Sequence, residues 1–406
     1  MMSIREAARE CLGETDALIR RFGPRLAGTE AARKAAQSLA DSLAGCCDSS
    51  RLEPFAVHPA SFYSYTKVLP VSYALGALAL FLPRPLSLLP ATGLAAGVIL
   101  MLCQFGLYLH FPDFLFPKKE GWNVSAVLEP KGEARRELIL SAHHDSAPVA
   151  RIFSGPFAKF YAPAIFLPYA FFFLELYLLV ARLAGAAAPE LWALAALSVG
   201  LLPVAAYFAL VDTGRGSPGA GDNLVSAAMI ARIARGIADD RGALLRSTRL
   251  RIVSFDAEEA GLRGSAAWFR AHAAELSRLP CAQLNFDSLY ALRDLQALTT
   301  DVNGAVPLSS EMHAELMRCA AQGGHAMRPF AMLFGGGATD AAEGARAGIP
   351  SASIVAMPTS IVRDDLVYHT PRDNVDRIEP EVIAACIDIA LRYLASLEAA
   401  IEVDRP

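Results

Sequence analysis

Two long runs without a charged residue limit what this chain can fold into. Residues 86–109 and 191–211 contain no Asp, Glu, Lys or Arg, and about 20 helical residues are enough to cross the core of a bilayer. Each run has an apolar neighbour, at residues 68–82 and 160–180, and the second of these holds one charge, Glu175. We therefore predict four transmembrane helices in two hairpins, with buried core helices or a dimer face as the alternative. Glu175 should face another helix or lie near the membrane interface, because a carboxylate facing lipid is costly.

The composition agrees with a membrane protein and excludes other classes. Hydrophobic residues make up 54% of the 406 residues, and the mean hydropathy is +0.34. The formal net charge of −4 and the absence of a long basic run argue against nucleic acid as a partner. Seven scattered cysteines without a Cys-x-x-Cys pair indicate neither a disulfide framework nor a thiolate zinc site. The charged N-terminus does not have the pattern of a secretory signal peptide.

Outside these runs the sequence alternates between strand and helix patterns. This alternation predicts an α/β fold, a mixed and mostly parallel sheet with helices on both faces, interrupted by the two hairpins. We divide the chain into residues 1–62, 118–159 and 212–406, which form one catalytic domain, and residues 63–117 and 160–211, which form the hairpins.

The residues that can carry chemistry lie where predicted strands end and helices begin. The predicted strand at 250–255 is followed by Glu258 and Glu259. At a bent strand tip, adjacent carboxylates can approach one centre from different sides, so that one binds a metal while the other handles a proton. Other such positions are His143 and Asp145 after a second strand, Asp222 at a helix start, Asp287 at a third strand end, and His369 before the last helix. Each of these residues, taken singly, also has a purely structural reading as a cap or a satisfied polar group.

Together, these histidines and acids form a set that suits zinc, which takes nitrogen and oxygen ligands and in catalytic sites leaves a position for water. A carboxylate beside a metal-binding imidazole, as Asp145 is beside His143, can fix its tautomer. Two ions that share a carboxylate would make a two-metal hydrolase.

The order and the residue sequences of these motifs resemble those of the co-catalytic di-zinc aminopeptidases, the metallopeptidase family of aminopeptidase Y and the bacterial leucine aminopeptidases. Glutamate carboxypeptidase and glutaminyl cyclase are relatives of that family. The resemblance covers about residues 1–60 and 120–400. It rests on Gly-Pro-Arg-Leu-Ala-Gly-Thr at 23–29, Ser-Ala-His-His-Asp-Ser at 141–146, Gly-Ala-Gly-Asp-Asn at 219–223, Phe-Asp-Ala-Glu-Glu-Ala-Gly at 255–261, Leu-Asn-Phe-Asp at 284–287 and Tyr-His-Thr-Pro-Arg-Asp at 368–373.

The resemblance implies a zinc-peptidase (phosphorylase/hydrolase-like) fold, two zinc ions and a role for each matching residue. His143 and Asp287 would bind one ion, Glu259 and His369 the other, and Asp222 would bridge them. Glu258 would be the general base and Asp145 would orient His143. Asp340, where the family often has Ser-Asp-His, and Tyr368 are weaker substrate-side candidates, since the histidine of that motif is absent here. His144 is expected to be a neighbour rather than a ligand.

The spacing departs from the family, because 79 residues (222 − 143) separate His143 from Asp222, and the second hairpin fills this interval. The positive-inside tendency predicts a cytoplasmic catalytic domain. Basic residues are more numerous on its side of the hairpins, namely Lys67, Lys118, Lys119, Arg151, Lys159 and Arg215, than near the opposite turns, which hold Arg84 and Arg182.

The resulting prediction is an integral membrane, zinc-dependent aminopeptidase that hydrolyses N-terminal residues from peptides, with peptide and lipid bilayer as its partners. A glutaminyl-cyclase-like acyl transfer on one zinc and an inactive membrane scaffold are the alternatives. The sequence does not specify the oligomer, the side-chain preference or whether substrate enters from water or from the membrane.

Overall fold

The computed structural model describes residues 3–151, 161–187, 189–208, 211–358 and 366–403. The helices are α1 (Ile4–Phe22), α2 (Glu30–Ala44), α3 (Pro59–Phe62), α4 (Tyr65–Ala79), α5 (Leu88–Met101), α6 (Tyr161–Leu183), α7 (Leu191–Phe208), α8 (Val225–Asp239), α9 (Arg241–Leu244), α10 (Arg263–Leu276), α11 (Ser310–Gln322), α12 (Ala341–Arg346) and α13 (Pro380–Val403). The strands are β1 (Ser49–Val57), β2 (Lys119–Leu128), β3 (Arg136–His143), β4 (Pro148–Ala150), β5 (Val211–Gly216), β6 (Thr248–Phe255), β7 (Cys281–Leu289), β8 (Leu295–Asp301), β9 (Val306–Pro307), β10 (Arg328–Ala331) and β11 (Ser351–Ala356).

One large sheet organises the described residues outside the apolar helices, and β4 and β5 form a separate two-stranded sheet. The strand order of the large sheet is β1-β2-β6-β3-β7-β11-β8-β10, with β9 paired to β8. The four central strands β6, β3, β7 and β11 pair in parallel, whereas β1, β2 and β6 pair antiparallel at one side. The predicted mixed sheet is confirmed. Its parallel centre brings the carboxyl ends of four strands to one edge.

The two faces of the sheet are covered by different helices, because side chains alternate along a strand. Leu138 and Leu140 of β3 belong to the large core that includes residues of α1, α8 and α13. Ile139, between them, packs in a separate cluster with Trp268 and Phe269 of α10. The predicted helices on both faces are therefore present.

The apolar segments form a helical bundle in which α4 contacts α5 and α7, and α6 contacts α5 and α7. Three helices are long and apolar enough to cross a membrane by length and composition, Arg84–Gly106, Phe166–Leu183 and Leu191–Phe208. The first predicted span forms α4, which has only 15 residues and contains Pro70, so the fourth span stays a prediction. Phe160 and Lys159, used in the sequence argument, lie outside the described residues.

Glu175 lies inside this bundle, as the sequence predicted. Its side chain is fully buried and approaches α4 so closely that a Cβ on Gly76 would lie 2.7 Å from Oε1 of Glu175. The absence of a side chain at Gly76 leaves room for the carboxylate in this position, and a larger residue would displace it.

Candidate metal centre

Three neighbouring parallel strands deliver most of the predicted site residues to one sheet edge. His143 is the last residue of β3 and pairs with Phe255, the last residue of β6. The chain after β6 turns at Ala257, whose φ of 61° is left-handed, and then presents Glu258 and Glu259. Asp287 lies near the end of β7. The predicted grouping at strand ends thus follows from parallel pairing, which aligns the carboxyl ends of the strands.

Asp222 reaches the same edge from the turn of helix that precedes α8. The turn spans Ala220–Leu224 and follows Gly219, whose φ of 61° is left-handed. The backbone N–H groups of Gly221 and Asp222 donate to the carboxylate of Asp373 at 2.9 and 3.3 Å. Asp373 therefore holds this turn in place, a role that the sequence reasoning did not assign to it.

The two oxygens of Asp222 point to two different histidines. Its Oδ1 lies 3.4 Å from Nε2 of His143, and its Oδ2 lies 3.0 Å from Nε2 of His369. Nε2 of His369 also lies 3.2 Å from Oε2 of Glu259, and Nε2 of His143 lies 3.8 Å from Oδ2 of Asp287. The cluster thus consists of two halves, one around each imidazole, joined by one carboxylate.

Asp145 connects the two parts of the site that lie on β3 and after β6. Its Oδ1 lies 3.2 Å from Nδ1 of His143. The same carboxylate accepts the backbone N–H groups of Glu258 and Glu259, each at 3.2 Å. A single buried side chain therefore orients the imidazole and fixes the turn that carries both glutamates, and the second of these functions was not foreseen.

The carboxylates are crowded and desolvated. Burial raises the pKa of Glu258 well above its usual value, against the opposing effect of His143, and the charges of Glu259 and Asp287 raise it further. Burial likewise raises the pKa of Glu259 to about 8, although His369 opposes the shift. Oε1 of Glu259 is buried and accepts no hydrogen bond from the described residues.

This donor set fits a metal. Possible ligand atoms of His143, Asp222 and Glu259, and likewise of His143, Glu258 and Asp287, lie within 4.8 Å of one another. Four buried carboxylates and two imidazoles gathered at one point form a donor set that suits cations. Nitrogen and oxygen donors in this number are typical of zinc.

Arg25 is the structural residue that sequence reasoning overlooked, although it lies within the quoted motif at 23–29. The side chain is fully buried, and its donors reach four backbone carbonyls. These are His144 at 2.7 Å and Gly23, Pro218 and Gly219, each at 3.0 Å. Burial lowers the pKa of Arg25 to about 10, so it stays charged at neutral pH. Arg25 therefore ties the loop after β3 to the loop that leads into Asp222.

His144, Asp340 and Tyr368 lie around the cluster in different ways. His144 turns away from it, and Nδ1 of its ring lies 2.9 Å from Oγ of Ser254. Asp340 is fully buried and is not among the residues that line the adjoining cavity, whereas Tyr368 lines that cavity and stacks on His369 with ring centroids 3.7 Å apart. Of the two substrate-side candidates, only Tyr368 is placed to contact a ligand there.

Comparison with known proteins supports the resemblance. The sequence model of peptidase family M28 matches residues 204–394, a range that includes Asp222, Glu258, Glu259, Asp287 and His369 and begins after His143. No curated protein matches the chain.

Solved structures share the fold over almost the entire chain at low sequence identity. A zinc aminopeptidase from Bacillus subtilis is 14% identical with a TM-score of 0.58, covering 96% of this chain and 95% of its own. A glutaminyl cyclase from Fimbriiglobus ruber is 15% identical with a TM-score of 0.55, covering 96% and 94%. A leucine aminopeptidase precursor from Bacteroides thetaiotaomicron is 13% identical with a TM-score of 0.55, covering 96% of each chain. Residues 204–394 thus match the peptidase family M28 model, and the chain shares the fold of these zinc aminopeptidase and glutaminyl cyclase structures.

Proposed function

We propose that the protein is a membrane-anchored, zinc-dependent exopeptidase of the aminopeptidase type that uses two zinc ions. The observation that carries this proposal is the position of Asp222, whose oxygens lie 3.4 Å from His143 and 3.0 Å from His369. A carboxylate between two imidazoles, each with a further acid beside it, has the geometry of a bridging ligand.

In this assignment, His143 and Asp287 would hold one ion, Glu259 and His369 the other, and Asp222 would be shared by both. Bound zinc would supply Lewis-acid chemistry, which lowers the pKa of water and stabilises negative charge on a carbonyl oxygen. Asp145, whose Oδ1 lies 3.2 Å from Nδ1 of His143, would favour the tautomer whose Nε2 is available as a ligand.

Glu258 is the general base. Its Oε2 lies 3.8 Å from Nε2 of His143, and it lines the cavity together with Glu259 and Asp222. A carboxylate there accepts the proton of the attacking water and returns it to the leaving amine, which is the contribution expected of a positioned acid–base group. The acidic surroundings also suit the protonated α-amine of a peptide.

The test is Glu258→Gln, measured on detergent-purified protein with a panel of aminoacyl-nitroanilides and by elemental analysis of bound zinc. We expect turnover to fall by about 10²–10⁴-fold, the range for loss of a general base, with zinc content unchanged. Glu311→Gln, at an exposed position on α11, is the matched control and should keep full activity. Full activity of Glu258→Gln would overturn the assignment of the base.

A glutaminyl-cyclase-like acyl transfer is the second candidate, since a structural neighbour of this fold has that name. The two functions differ in metal content and in product. Two zinc ions per chain and release of a free amino acid support the aminopeptidase. One zinc ion and cyclisation of an N-terminal glutamine would support the alternative, and neither activity at full zinc occupancy would support an inactive scaffold.

The membrane arrangement also belongs to this proposal. We place residues 63–117 and 160–211 in the bilayer as two hairpins, with residues 1–62, 118–159 and 212–406 folding together on the cytoplasmic side. Arg84 donates to the carbonyl of Gly185 at 3.0 Å, which supports a common side for the two hairpin turns. Labelling of single introduced cysteines at residues 84 and 311 by an impermeant thiol reagent in intact cells tests the orientation, because only position 84 should react.

A further inference from the structure

The cavity beside the candidate metal centre is walled partly by the apolar helices. It has a volume of about 230 Å³. Its lining includes the site residues Asp222, Glu258, Glu259, Asp287 and His369 and four aromatic residues of the apolar segments, Tyr65, Phe105, Tyr169 and Tyr207. We call these four the aromatic wall. They come from α4, from the turn Leu102–Gly106 after α5, from α6 and from α7, so all four apolar segments contribute to the cavity.

The aromatic wall is a packed and preformed surface. The ring centroids of Tyr65 and Phe105 are 6.3 Å apart, those of Tyr65 and Tyr207 6.5 Å, and those of Tyr169 and Tyr207 5.7 Å. The hydroxyls of Tyr169 and Tyr207 lie 2.5 Å apart. Such contacts between rings add to the stability gained by burial, so a ligand meets a surface that needs no rearrangement.

A second aromatic contact closes the cavity toward the interior of the bundle. Phe172, which is 1% exposed, lies 5.8 Å from Tyr169 and 5.9 Å from Tyr207 between ring centroids. Among the described residues, Phe172 therefore fills the bundle next to Tyr169 and Tyr207.

The wall is attached to the domain that carries the metal centre. Asn303 donates through Nδ2 to the carbonyls of Phe105 and Gly106 at 2.6 and 3.2 Å. Its Oδ1 accepts the backbone N–H groups of Gly335 and Gly337 at 2.9 and 3.1 Å. These hydrogen bonds fix the position of the aromatic wall relative to the domain that carries the metal ligands.

The charges of the lining residues indicate which substrate side chains the cavity can accept. None of the described residues that line the cavity is Lys or Arg, and the carboxylates among them are the site residues Asp222, Glu258, Glu259 and Asp287. A charged side chain that reached the wall would lose its hydration without gaining a partner, which is strongly unfavourable. The volume of 230 Å³ lies below the range of about 300–1,000 Å³ for pockets of drug-sized ligands, so it suits the side chain of one residue.

We propose that the membrane helices complete the specificity pocket, and that the substrate is a peptide whose N-terminal residue carries a large uncharged side chain seated on the aromatic wall. This inference rests on the proposed function and extends it to a substrate class. The hairpins are then part of the substrate site as well as an anchor.

The test compares hydrolysis of Phe-, Leu-, Ala-, Lys- and Asp-nitroanilides by the intact protein in detergent. The wild type should prefer Phe and Leu over Ala, Lys and Asp. Tyr169→Ala and Phe105→Ala should each lower the ratio of kcat/KM for Phe to that for Ala by ~10-fold, mainly through KM, as expected for lost apolar contact in a pocket. Tyr177→Ala is the matched control, because Tyr177 lies on α6 but is 69% exposed and does not line the cavity.

A binding measurement separates failure of this inference from failure of the proposed function. In the Glu258→Gln protein, L-phenylalaninamide should bind more tightly than glycinamide by calorimetry, and Tyr169→Ala in that background should remove most of the difference. An unchanged Phe-to-Ala ratio in both wall variants, or equal binding of the two amides, would overturn the inference even if hydrolysis is robust. Absence of hydrolysis with retained amide discrimination would refute the exopeptidase and leave the pocket assignment standing.

Discussion

Replacing Arg25 by Met should loosen the metal centre without touching a ligand. Methionine keeps much of the apolar volume and removes every donor. The carbonyls of His144, Gly23 and Pro218 then lose their hydrogen bonds from the guanidinium, whereas that of Gly219 still accepts the N–H of Leu224. The loop that follows His143 and contains Asp145 loses its link to the loop before Asp222, so their relative position becomes less well determined.

The magnitude follows from the number of acceptors. A buried acceptor left without a partner costs about 1–3 kcal/mol, which for three carbonyls gives a range of about 3–9 kcal/mol. We expect a value near the lower end, about 3 kcal/mol, because water can enter the space of the guanidinium and satisfy some carbonyls. Zinc affinity should fall by about 10–100-fold, the usual effect of losing a group that positions ligands.

The assay is competition for zinc with a chromophoric chelator, combined with thermal unfolding of the zinc-loaded and zinc-free protein. Arg25→Lys should lower zinc affinity and the unfolding temperature nearly as much as Arg25→Met, because one ammonium group cannot reach carbonyls on both loops. Arg33→Met is the control, since Arg33 forms a surface pair with Glu30 and should leave zinc binding unchanged. Wild-type zinc affinity and wild-type unfolding temperature in Arg25→Met would refute the bracing role.

Three further predictions concern the same edge of the sheet. Asp145→Asn should lower zinc affinity by about 10–100-fold, because an amide cannot accept two backbone N–H groups and orient His143 at once; chelator competition measures this, and unchanged affinity would contradict the dual role. Gly264→Ala should prevent stable folding, since a Cβ there would lie 1.8 Å from the carbonyl oxygen of Asp256; a soluble, zinc-binding variant in detergent would show that the turn is less constrained than described. His144 should make the protein acid-sensitive, because burial, assisted by Arg25, lowers its pKa from 6.5 to about 3. Below about pH 6.5 the imidazole is protonated in the unfolded chain but stays neutral in the folded chain. The free energy of unfolding therefore decreases as pH falls, by about 2 kcal/mol between about pH 6.5 and 5. Unfolding temperatures at both pH values should therefore differ less in His144→Gln than in the wild type, and an equal difference would contradict the assignment.

Local signals explain why most of the fold was predictable. The strand predicted at 250–255 is β6, and Asp287 lies near the end of a strand as predicted, because buried strands and amphipathic helices have distinct apolar periods. The short strands β4, β5, β9 and β10 were not predicted. They have only two to six residues, too few for a clear apolar period, and β4, β5 and β10 pair with partners far along the chain.

The sequence by itself determined the elements of the fold, the apolar segments and the residue types of the site, because apolar periodicity, turn-forming residues and charge are properties of short stretches of chain. Only the tertiary structure decided which atoms meet. The placement of Asp222 between two histidines, the four carbonyls gathered by Arg25 and the aromatic wall at the metal centre all join residues that are distant in sequence. Their contacts arise from strand order and helix packing, which involve the whole domain. No short stretch of sequence therefore predicts them.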